Sequence, residues 1–258
     1  MADWNEPRAT RQGFGVSPNR AGDLAGRTTM DAGLRRHMLS IYNYMASGVL
    51  LTGIVAMLTA QSGLAYQFAQ GPLMWLVALS PLAIVFAMSF GANRFSTATL
   101  QALFWGFAFL MGLSLSTIFL VYTGASIAAT FFATAGAFAG LSLFGYTTQK
   151  DLSGWGSFLI MGVIGLLIAS LINLFLQSEA LSWAVSFIGV LIFAALTAYD
   201  TQRLKSEYLD VQRMKVTNPN AVAAFPTGKM VVMGALTLYL DFINMFLFLL
   251  RFMGSSRE

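Results

Sequence analysis

Seven apolar stretches constrain what this chain can fold into. Each is long enough to cross the roughly 30 Å of bilayer hydrocarbon, which takes about 20 helical residues. They lie at about 38–60, 72–92, 99–122, 126–146, 155–176, 180–202 and 230–252. Because hydrocarbon offers no hydrogen-bond partner to the backbone, spanning segments of this length form helices. The sequence therefore predicts an all-α membrane protein with seven transmembrane helices.

The composition supports this class and excludes several kinds of site. Of the 258 residues, 57% are hydrophobic and 10% are charged, whereas soluble domains carry about 25% charged residues. The absence of cysteine and the single histidine, His37, exclude disulfides and an ordinary Cys/His zinc or haem site. We expect no resident cofactor, although transported Ca²⁺ is compatible with the composition.

The basic residues predict how the chain is oriented. With seven spans and the N-terminus inside, 13 of the 15 basic residues fall on the inner side and two, Arg251 and Arg257, on the outer side. This distribution follows the positive-inside rule, so we expect the N-terminus inside and the C-terminus outside. Because orientation and anionic lipid account for the net charge of +4, nucleic acid is not expected as a partner.

The polar segments divide the chain. Residues 1–37 are predicted to form a cytoplasmic polar tail, partly disordered and containing at most a short helix before the membrane. The transmembrane domain is expected over 38–252, with a long cytoplasmic loop at 203–229 and a short outer tail at 253–258.

The link between the third and fourth spans is very short. It lies around Gly124, so these two spans are expected to form an antiparallel hairpin. The fourth span carries Gly136 and Gly140, a spacing of small residues that permits close helix approach but is also common in membrane helices generally.

Two of the eleven acidic residues lie in apolar surroundings, Asp200 and Asp241. Asp241 is about 11 residues from either end of its span, which places it near mid-membrane at about 1.5 Å per residue. A charged side chain at that depth costs several kcal/mol and marks a functional site by default. Asn244, one turn later, either supports Asp241 or packs against another helix.

Asp200 lies towards the inner end of the sixth span, and two interpretations of it remain open. It is either a solvated interfacial residue balanced by Arg203 or the partner of Asp241. If the aspartates meet, they share a proton and the charge of the pair depends on pH. Arg94, between the second and third spans, is positioned to neutralise such a pair as a breakable latch.

Three segments resemble the Bax inhibitor family, also called the TMBIM proteins, in its bacterial form. They are Leu238-Tyr-Leu-Asp-Phe-Ile-Asn-Met-Phe-Leu-Phe-Leu-Leu-Arg251, Ala198-Tyr-Asp-Thr-Gln202 and Phe107-Ala-Phe-Leu-Met-Gly-Leu-Ser-Leu-Ser116, with Arg94 at the expected distance before the last. The resemblance implies three two-helix hairpins around a central seventh helix in a bacterial cytoplasmic membrane.

The resemblance also implies a site: a paired-aspartate pH sensor, with an arginine nearby, controlling a calcium leak. Residue by residue, the sensor and the calcium ligands that it implies are Asp200 and Asp241, and the latch is Arg94. The first hypothesis is therefore a pH-sensitive cation leak channel, in particular for Ca²⁺, which prefers oxygen ligands. Because few polar residues occupy the outer halves of the helices, we expect a hydrophobic plug on that side.

Two other functions compete with the leak channel. The first is a non-conducting regulator of membrane quality control or stress response that docks on a membrane protein partner through the tail and the 203–229 connection. The second is an intramembrane aspartyl protease, which also uses two aspartates, one of them in a pair such as Tyr199-Asp200. Such enzymes carry a Gly-x-Gly pattern before the second aspartate, whereas Leu238 to Leu240 stand here, so we expect no enzyme.

Overall fold

The computed structural model describes residues 18–71, 73–217 and 227–255, and this part of the chain is helical with no β-strand. Its elements in order are α1 (Pro18–Gln61), α2 (Leu64–Phe68), α3 (Leu73–Gly91), α4 (Thr97–Leu115), α5 (Ile118–Val121), α6 (Gly124–Thr147), a 3-10 turn (Ser153–Trp155), α7 (Gly156–Leu176), α8 (Glu179–Thr217) and α9 (Thr227–Met253).

The seven predicted spans are confirmed. The described residues contain seven stretches long and apolar enough to cross a membrane, and each overlaps one predicted span. They are Asp31–Gln61, Leu73–Gly91, Thr97–Val121, Gly124–Thr147, Ser153–Leu176, Glu179–Lys215 and Thr227–Met253. The chain is a multi-pass integral membrane protein.

The last helix lies at the centre of the bundle, as expected. In α9, 61% of the most apolar stretch is buried, against at most 39% in any other span. This helix packs against α1, α4, α6 and α8. Its residues Leu238 and Tyr239 are completely buried, so the helix that carries Asp241 is surrounded by protein.

The first and last spans run in the same direction. Ile41 of α1 faces Gly234 near the start of α9, and Thr52, eleven residues further along α1, bonds to Tyr239. Because α1 and α9 therefore begin at the same face of the bundle, the chain enters it at one face and leaves at the other. That the entry face is the cytoplasmic one remains a prediction from the basic residues.

The hairpin predicted at Gly124 is looser than expected. The two helices reverse direction at this link, where the Thr123 side chain accepts a hydrogen bond from the Ser126 N–H (3.3 Å). However, α4 and α6 make no extended contact with each other: α4 packs against α1, α3 and α9, and α6 packs against α8 and α9. The two arms of the predicted hairpin are therefore held by other helices and not by each other.

The glycines predicted to permit close approach do not provide it. A side chain added at Gly136 or Gly140 would meet no described atom within 4 Å, because both lie on an open face of α6. The close approach is at Gly145, where an added Cβ would collide with the backbone carbonyl of Ala198 in α8. At Gly136 and Gly140 the second interpretation holds, in which their spacing is one common in membrane helices generally.

The connection expected as a loop over 203–229 is helical over its first half. Helix α8 continues to Thr217, and residues 218–226 lie outside the described part of the chain. The reason is an amphipathic pattern, because Leu204, Tyr208 and Val211 recur at helical spacing and are all buried. Tyr208 stacks on His37 of α1, with ring centroids 4.6 Å apart.

The predicted tail is also partly helical. Helix α1 begins at Pro18 and continues without interruption into the first span, rather than forming a short separate helix. The remaining tail, residues 1–17, and residues 256–258 lie outside the described part.

Candidate functional site

Asp200 of α8 and Asp241 of α9 face each other within hydrogen-bonding range. The residues are 7% and 4% exposed respectively. The two helices run antiparallel, and contacts on either side of the pair fix their register. On one side Leu204 packs against Gly234, and on the other Phe193 stacks on Phe248 with centroids 5.8 Å apart. The structure therefore brings Asp200 and Asp241 together, a contact that their positions along the two spans did not settle.

A direct hydrogen bond between the two aspartates would need a proton on one of them. Two ionised carboxylates offer only acceptors to each other, so a hydrogen bond between them requires that one is protonated. The second oxygen of Asp241, Oδ2, is buried and has no hydrogen-bond partner among the described residues. Buried oxygens are nearly always satisfied, so this atom is available to a proton, a water molecule or a cation.

Arg203 provides the cation nearest to the pair. Its Nη1 lies 3.8 Å from Oδ1 of Asp200, one turn earlier on the same helix. Its Nε also donates to Oε1 of Glu207 at 2.8 Å. Because the Arg203 side chain is 57% exposed, its interaction with Asp200 is weak. Asp200 therefore lies beside both Arg203 and Asp241, which the sequence analysis gave as alternative partners.

Arg94 is not at the pair in this structure. It lies exposed in the turn between α3 and α4, where its backbone N–H donates to Gly91 O at 2.9 Å. The ion pairs of the described residues do not include it. A latch formed by Arg94 remains a prediction for another conformation.

A cavity of about 260 Å³ with charged and apolar residues in its lining reaches Asp200 from the face where α9 begins. The lining residues of this cavity, here called the vestibule, are Ala92, Asn93, Asp200, Arg203, Leu204, Glu207, Lys229, Met230, Met233, Gly234 and Thr237. Asp241 is absent from this lining, so Asp200 stands between the vestibule and Asp241.

The helical spacing of charged residues around the aspartates is a sequence signal for the vestibule. Asp200, Arg203 and Glu207 are three and four residues apart, so they share one face of α8. Thr237 and Asp241 are similarly placed on α9. Following these faces outwards from the aspartates identifies most of the vestibule. Lys229 was missed because its position depends on tertiary packing, in which its Nζ donates to Ala92 O at 3.3 Å.

Two clusters of aromatic side chains lie near the pair. Phe242 follows Asp241 directly and packs edge-on against Phe131 and Phe138, with both centroid distances 5.6 Å. Phe193 and Phe248 stack between α8 and α9, two turns further along α9, and the rings of both clusters are here called the aromatic seal. That these rings form the expected hydrophobic plug remains a prediction.

Asn244 does not support the pair through a hydrogen bond. Its Nδ2 donates to Leu240 O in its own helix at 2.8 Å. Asn244 therefore satisfies its amide nitrogen within its own helix, and the two roles expected for it remain predictions.

The two aspartates are not a closed metal site. No group of three or more His, Cys, Asp or Glu side chains suited to a metal occurs in the part of the chain that the structure describes. Two carboxylates supply at most four oxygens, whereas Ca²⁺ takes six to eight. A calcium ion at the pair would have to retain water, which suits an ion in transit.

Outside the membrane spans, Asp151 in the connection after α6 has a lowered pKa. The Ser153 side chain and the Ser153 N–H, which donates to Asp151 Oδ1 at 2.9 Å, both stabilise the ionised carboxylate and so lower its pKa. Asp151 thereby stabilises the turn that precedes α7.

The comparisons with known proteins agree with this architecture. The sequence model of the family described as "Inhibitor of apoptosis-promoting Bax1" matches residues 34–258. An uncharacterized protein of Rickettsia prowazekii is 46% identical over 231 residues, covering 89% of this chain and 94% of the relative. The inner membrane protein YbhL of Escherichia coli is 45% identical over 228 residues, covering 88% of this chain and 94% of YbhL. An uncharacterized membrane protein of Streptococcus pyogenes is 35% identical over 238 residues, covering 89% of this chain and 96% of that relative.

Proposed function

The chain belongs to the Bax inhibitor family, and on that premise we propose that it is a pH-sensitive leak pathway for cations, Ca²⁺ in particular. The observation that carries this proposal is the contact between Asp200 and Asp241, two carboxylates from different helices within hydrogen-bonding range. As the name of YbhL says of that relative, the membrane is a bacterial inner membrane.

In this mechanism the proton and the cation compete for the same oxygens. With one proton between them, the aspartates hold α8 against α9 and have little attraction for a cation. Loss of the proton places two negative charges in contact, which weakens the helix contact and attracts either a cation or the free guanidinium of Arg94. Flux through the pathway therefore increases as the pH rises through the range in which the pair deprotonates.

The vestibule and the aromatic seal supply the two ends of the pathway. A cation entering the vestibule meets Asp200 and Glu207, with Arg203 and Lys229 opposing its entry. Beyond Asp241, the seal offers no ligand, so conduction requires the rings to separate. Such a pathway leaks slowly instead of conducting as an open channel.

A second candidate function is a non-conducting regulator that docks on a membrane protein partner. The length of α8 favours it, because 39 residues extend about 58 Å, roughly twice the hydrocarbon thickness. The charged end of this helix therefore projects from the membrane and presents a rigid surface. Shortening the tail or this projecting end of α8 tests the docking function. Loss of partner binding with unchanged Ca²⁺ flux would support it.

A proteolytic role is not favoured. Helix α9 is continuous through Leu238, Tyr239 and Leu240, and Leu238 and Tyr239 are completely buried. An aspartyl protease must expose its aspartates to a peptide beside an opened backbone, whereas this pair is enclosed between intact helices. The enclosure of the pair therefore argues against proteolysis.

The deciding experiment is Ca²⁺ uptake into liposomes containing the purified protein, scanned from acid to alkaline pH. The variants are Asp200→Asn and Asp241→Asn, whose amides cannot ionise. Asp210→Asn is the matched control, because Asp210 is an exposed carboxylate of α8 paired with Arg213 at 3.6 Å.

We expect uptake to rise with pH in the wild type and in Asp210→Asn, and to stay low and flat in the other two variants. Uptake no greater than in empty liposomes at every pH would contradict the leak and leave the docking function first. Uptake with unchanged pH dependence in both Asn variants would retain a leak but remove the aspartate sensor.

A further inference from the structure

We infer that a lateral groove between α1 and α6 binds an anionic phospholipid. Helices α1 and α6 make no extended contact with each other, and the space between them is a cavity of about 700 Å³ floored by Phe242 of α9. Ligand sites usually have volumes of about 300–1,000 Å³. The groove is lined by Arg35, Met38, Leu39, Tyr42, Met45, Ala46, Val49, Leu50, Phe131, Ala135, Phe138, Ala139, Ser142, Leu143, Tyr146 and Phe242.

The length of the groove suits an acyl chain. Its lining on α1 extends from Arg35 to Leu50, fifteen steps that cover about 22 Å of helix. One leaflet contributes about half of the roughly 30 Å hydrocarbon core. A chain that enters beside Arg35 therefore fits along the groove without crossing the whole protein.

The polarity of the groove changes along its length as the polarity of a lipid does. The polar lining residues lie together towards one end, and they are Arg35, Tyr42, Ser142 and Tyr146. The lining from Met45 to Leu50 on α1, and from Phe131 to Phe138 on α6, is apolar. The polar residues are thus confined to one end of an otherwise apolar groove.

The charge at the polar end selects an anionic headgroup. Arg35 is exposed and belongs to no ion pair of the described residues. Lys205 of α8 adds a second cation there, because its Nζ lies 5.2 Å from the Tyr146 ring centroid and donates to Tyr146 O at 2.8 Å. None of the described lining residues is acidic. Basic pockets between spans on the cytoplasmic side are typical sites for anionic lipid headgroups.

A buried hydroxyl lies where the glycerol region would be. Ser142 is 5% exposed, and its Oγ has no hydrogen-bond partner of normal geometry among the described residues, although the Tyr42 hydroxyl faces it. The ester carbonyls of a phospholipid lie below the phosphate and supply acceptors. The groove thus offers a cation to the phosphate, a hydroxyl to the ester region and an apolar channel to the chain.

The test is native mass spectrometry of the purified protein in detergent with added dioleoyl phosphatidylglycerol or dioleoyl phosphatidylcholine. Two variants alter the groove: Arg35→Gln removes the charge, and Ala139→Trp fills the channel. Their matched controls are Arg36→Gln and Ala137→Trp, which change exposed neighbours of the same helices that do not line the groove. Gel-filtration elution and thermal unfolding verify that each variant is folded.

The wild type should retain phosphatidylglycerol in preference to phosphatidylcholine. Arg35→Gln should reduce this preference about fivefold, the usual effect of one basic residue near a membrane surface. Ala139→Trp should lose both lipids, and both controls should match the wild type. Equal retention of the two lipids, or full retention by folded Ala139→Trp, would overturn the proposal. So would a dimer mass that only Ala139→Trp abolishes, because the groove would then be occupied by a second copy.

Discussion

Tyr239 of α9 and Thr52 of α1 share a buried hydrogen bond of 2.7 Å. Thr52 Oγ1 donates to the Ala108 carbonyl of α4, also at 2.7 Å, so the Tyr239 hydroxyl donates to Thr52. This chain of hydrogen bonds ties α1, α4 and α9 together two residues before Asp241. The central helix is therefore anchored on one side by neutral groups and contacts α8 on the other side through the two aspartates.

Removing the Tyr239 hydroxyl should weaken the anchor moderately. Tyr239→Phe loses one buried hydrogen bond and should cost about 1 kcal/mol. Thr52→Val should cost about 2 kcal/mol, because it leaves the Tyr239 hydroxyl buried without its partner. Unfolding by SDS titration in mixed micelles measures both changes.

The control for this pair is Thr147→Val. Thr147 is exposed and its hydroxyl donates within its own helix, to Leu143 O at 2.7 Å, so its replacement should change stability little. Equal costs for Thr147→Val and Thr52→Val would contradict an anchoring role for Thr52.

Gly145 should be the glycine of α6 that tolerates substitution least. A Cβ there would collide with the Ala198 carbonyl, so Gly145→Ala must push α6 away from α8. We expect a loss of about 1–3 kcal/mol, the usual range for overpacking, and a disturbed pair because Asp200 lies two residues after Ala198. Gly136→Ala and Gly140→Ala should be neutral in the same unfolding measurement, and a larger loss in either would contradict the open face.

Periodic and compositional features of the sequence predicted most of the fold. Span number and the two intramembrane aspartates follow from hydrophobic length, because a bilayer imposes one thickness on every span. The position of Gly145 did not follow, because whether a small residue is covered depends on the neighbour opposite it. The helical extension of α8 was missed because its charged residues suggested a loop, although Leu204, Tyr208 and Val211 repeat with the helical period.

The acidic residues of the candidate site could be identified from the sequence, whereas its basic residues could not be chosen with the same certainty. A charged aspartate anywhere in an apolar span costs free energy, so Asp200 and Asp241 were identifiable without a structure. An arginine near a membrane surface has no such cost, and sequence alone did not decide between Arg94 and Arg203. The structure places Arg203 beside Asp200 and leaves Arg94 exposed in its turn.

These two arginines should differ in their effect on the pH response. A cation close to Asp200 favours the ionised pair, so Arg203→Gln should move the midpoint of the flux–pH curve to higher pH. The shift should stay below about one pH unit because Arg203 is solvent-screened. Arg94→Gln should produce the smaller shift, because Arg94 is exposed in its turn and would reach the aspartates only after they ionise.

Liposome flux measured with both variants separates the two roles. A shift with Arg94→Gln and none with Arg203→Gln would show that Arg94 moves to the aspartates in the conducting cycle. Equal midpoints in all three proteins would show that neither arginine acts on the pair.

The aromatic seal should limit the leak independently of the proton. Phe193 is 8% exposed and stacks on Phe248 beyond the aspartates, so Phe193→Ala removes a ring from the layer that a cation must cross. We expect a higher Ca²⁺ flux at every pH, with the rise towards alkaline pH retained because the aspartates are unchanged. Phe187→Ala is the matched control, since Phe187 lies on the same helix, stacks on Trp183 and is 44% exposed. An unchanged flux in folded Phe193→Ala would place the barrier elsewhere in the bundle, whereas a raised flux that no longer responds to pH would mean that the seal and the aspartate pair act as one gate.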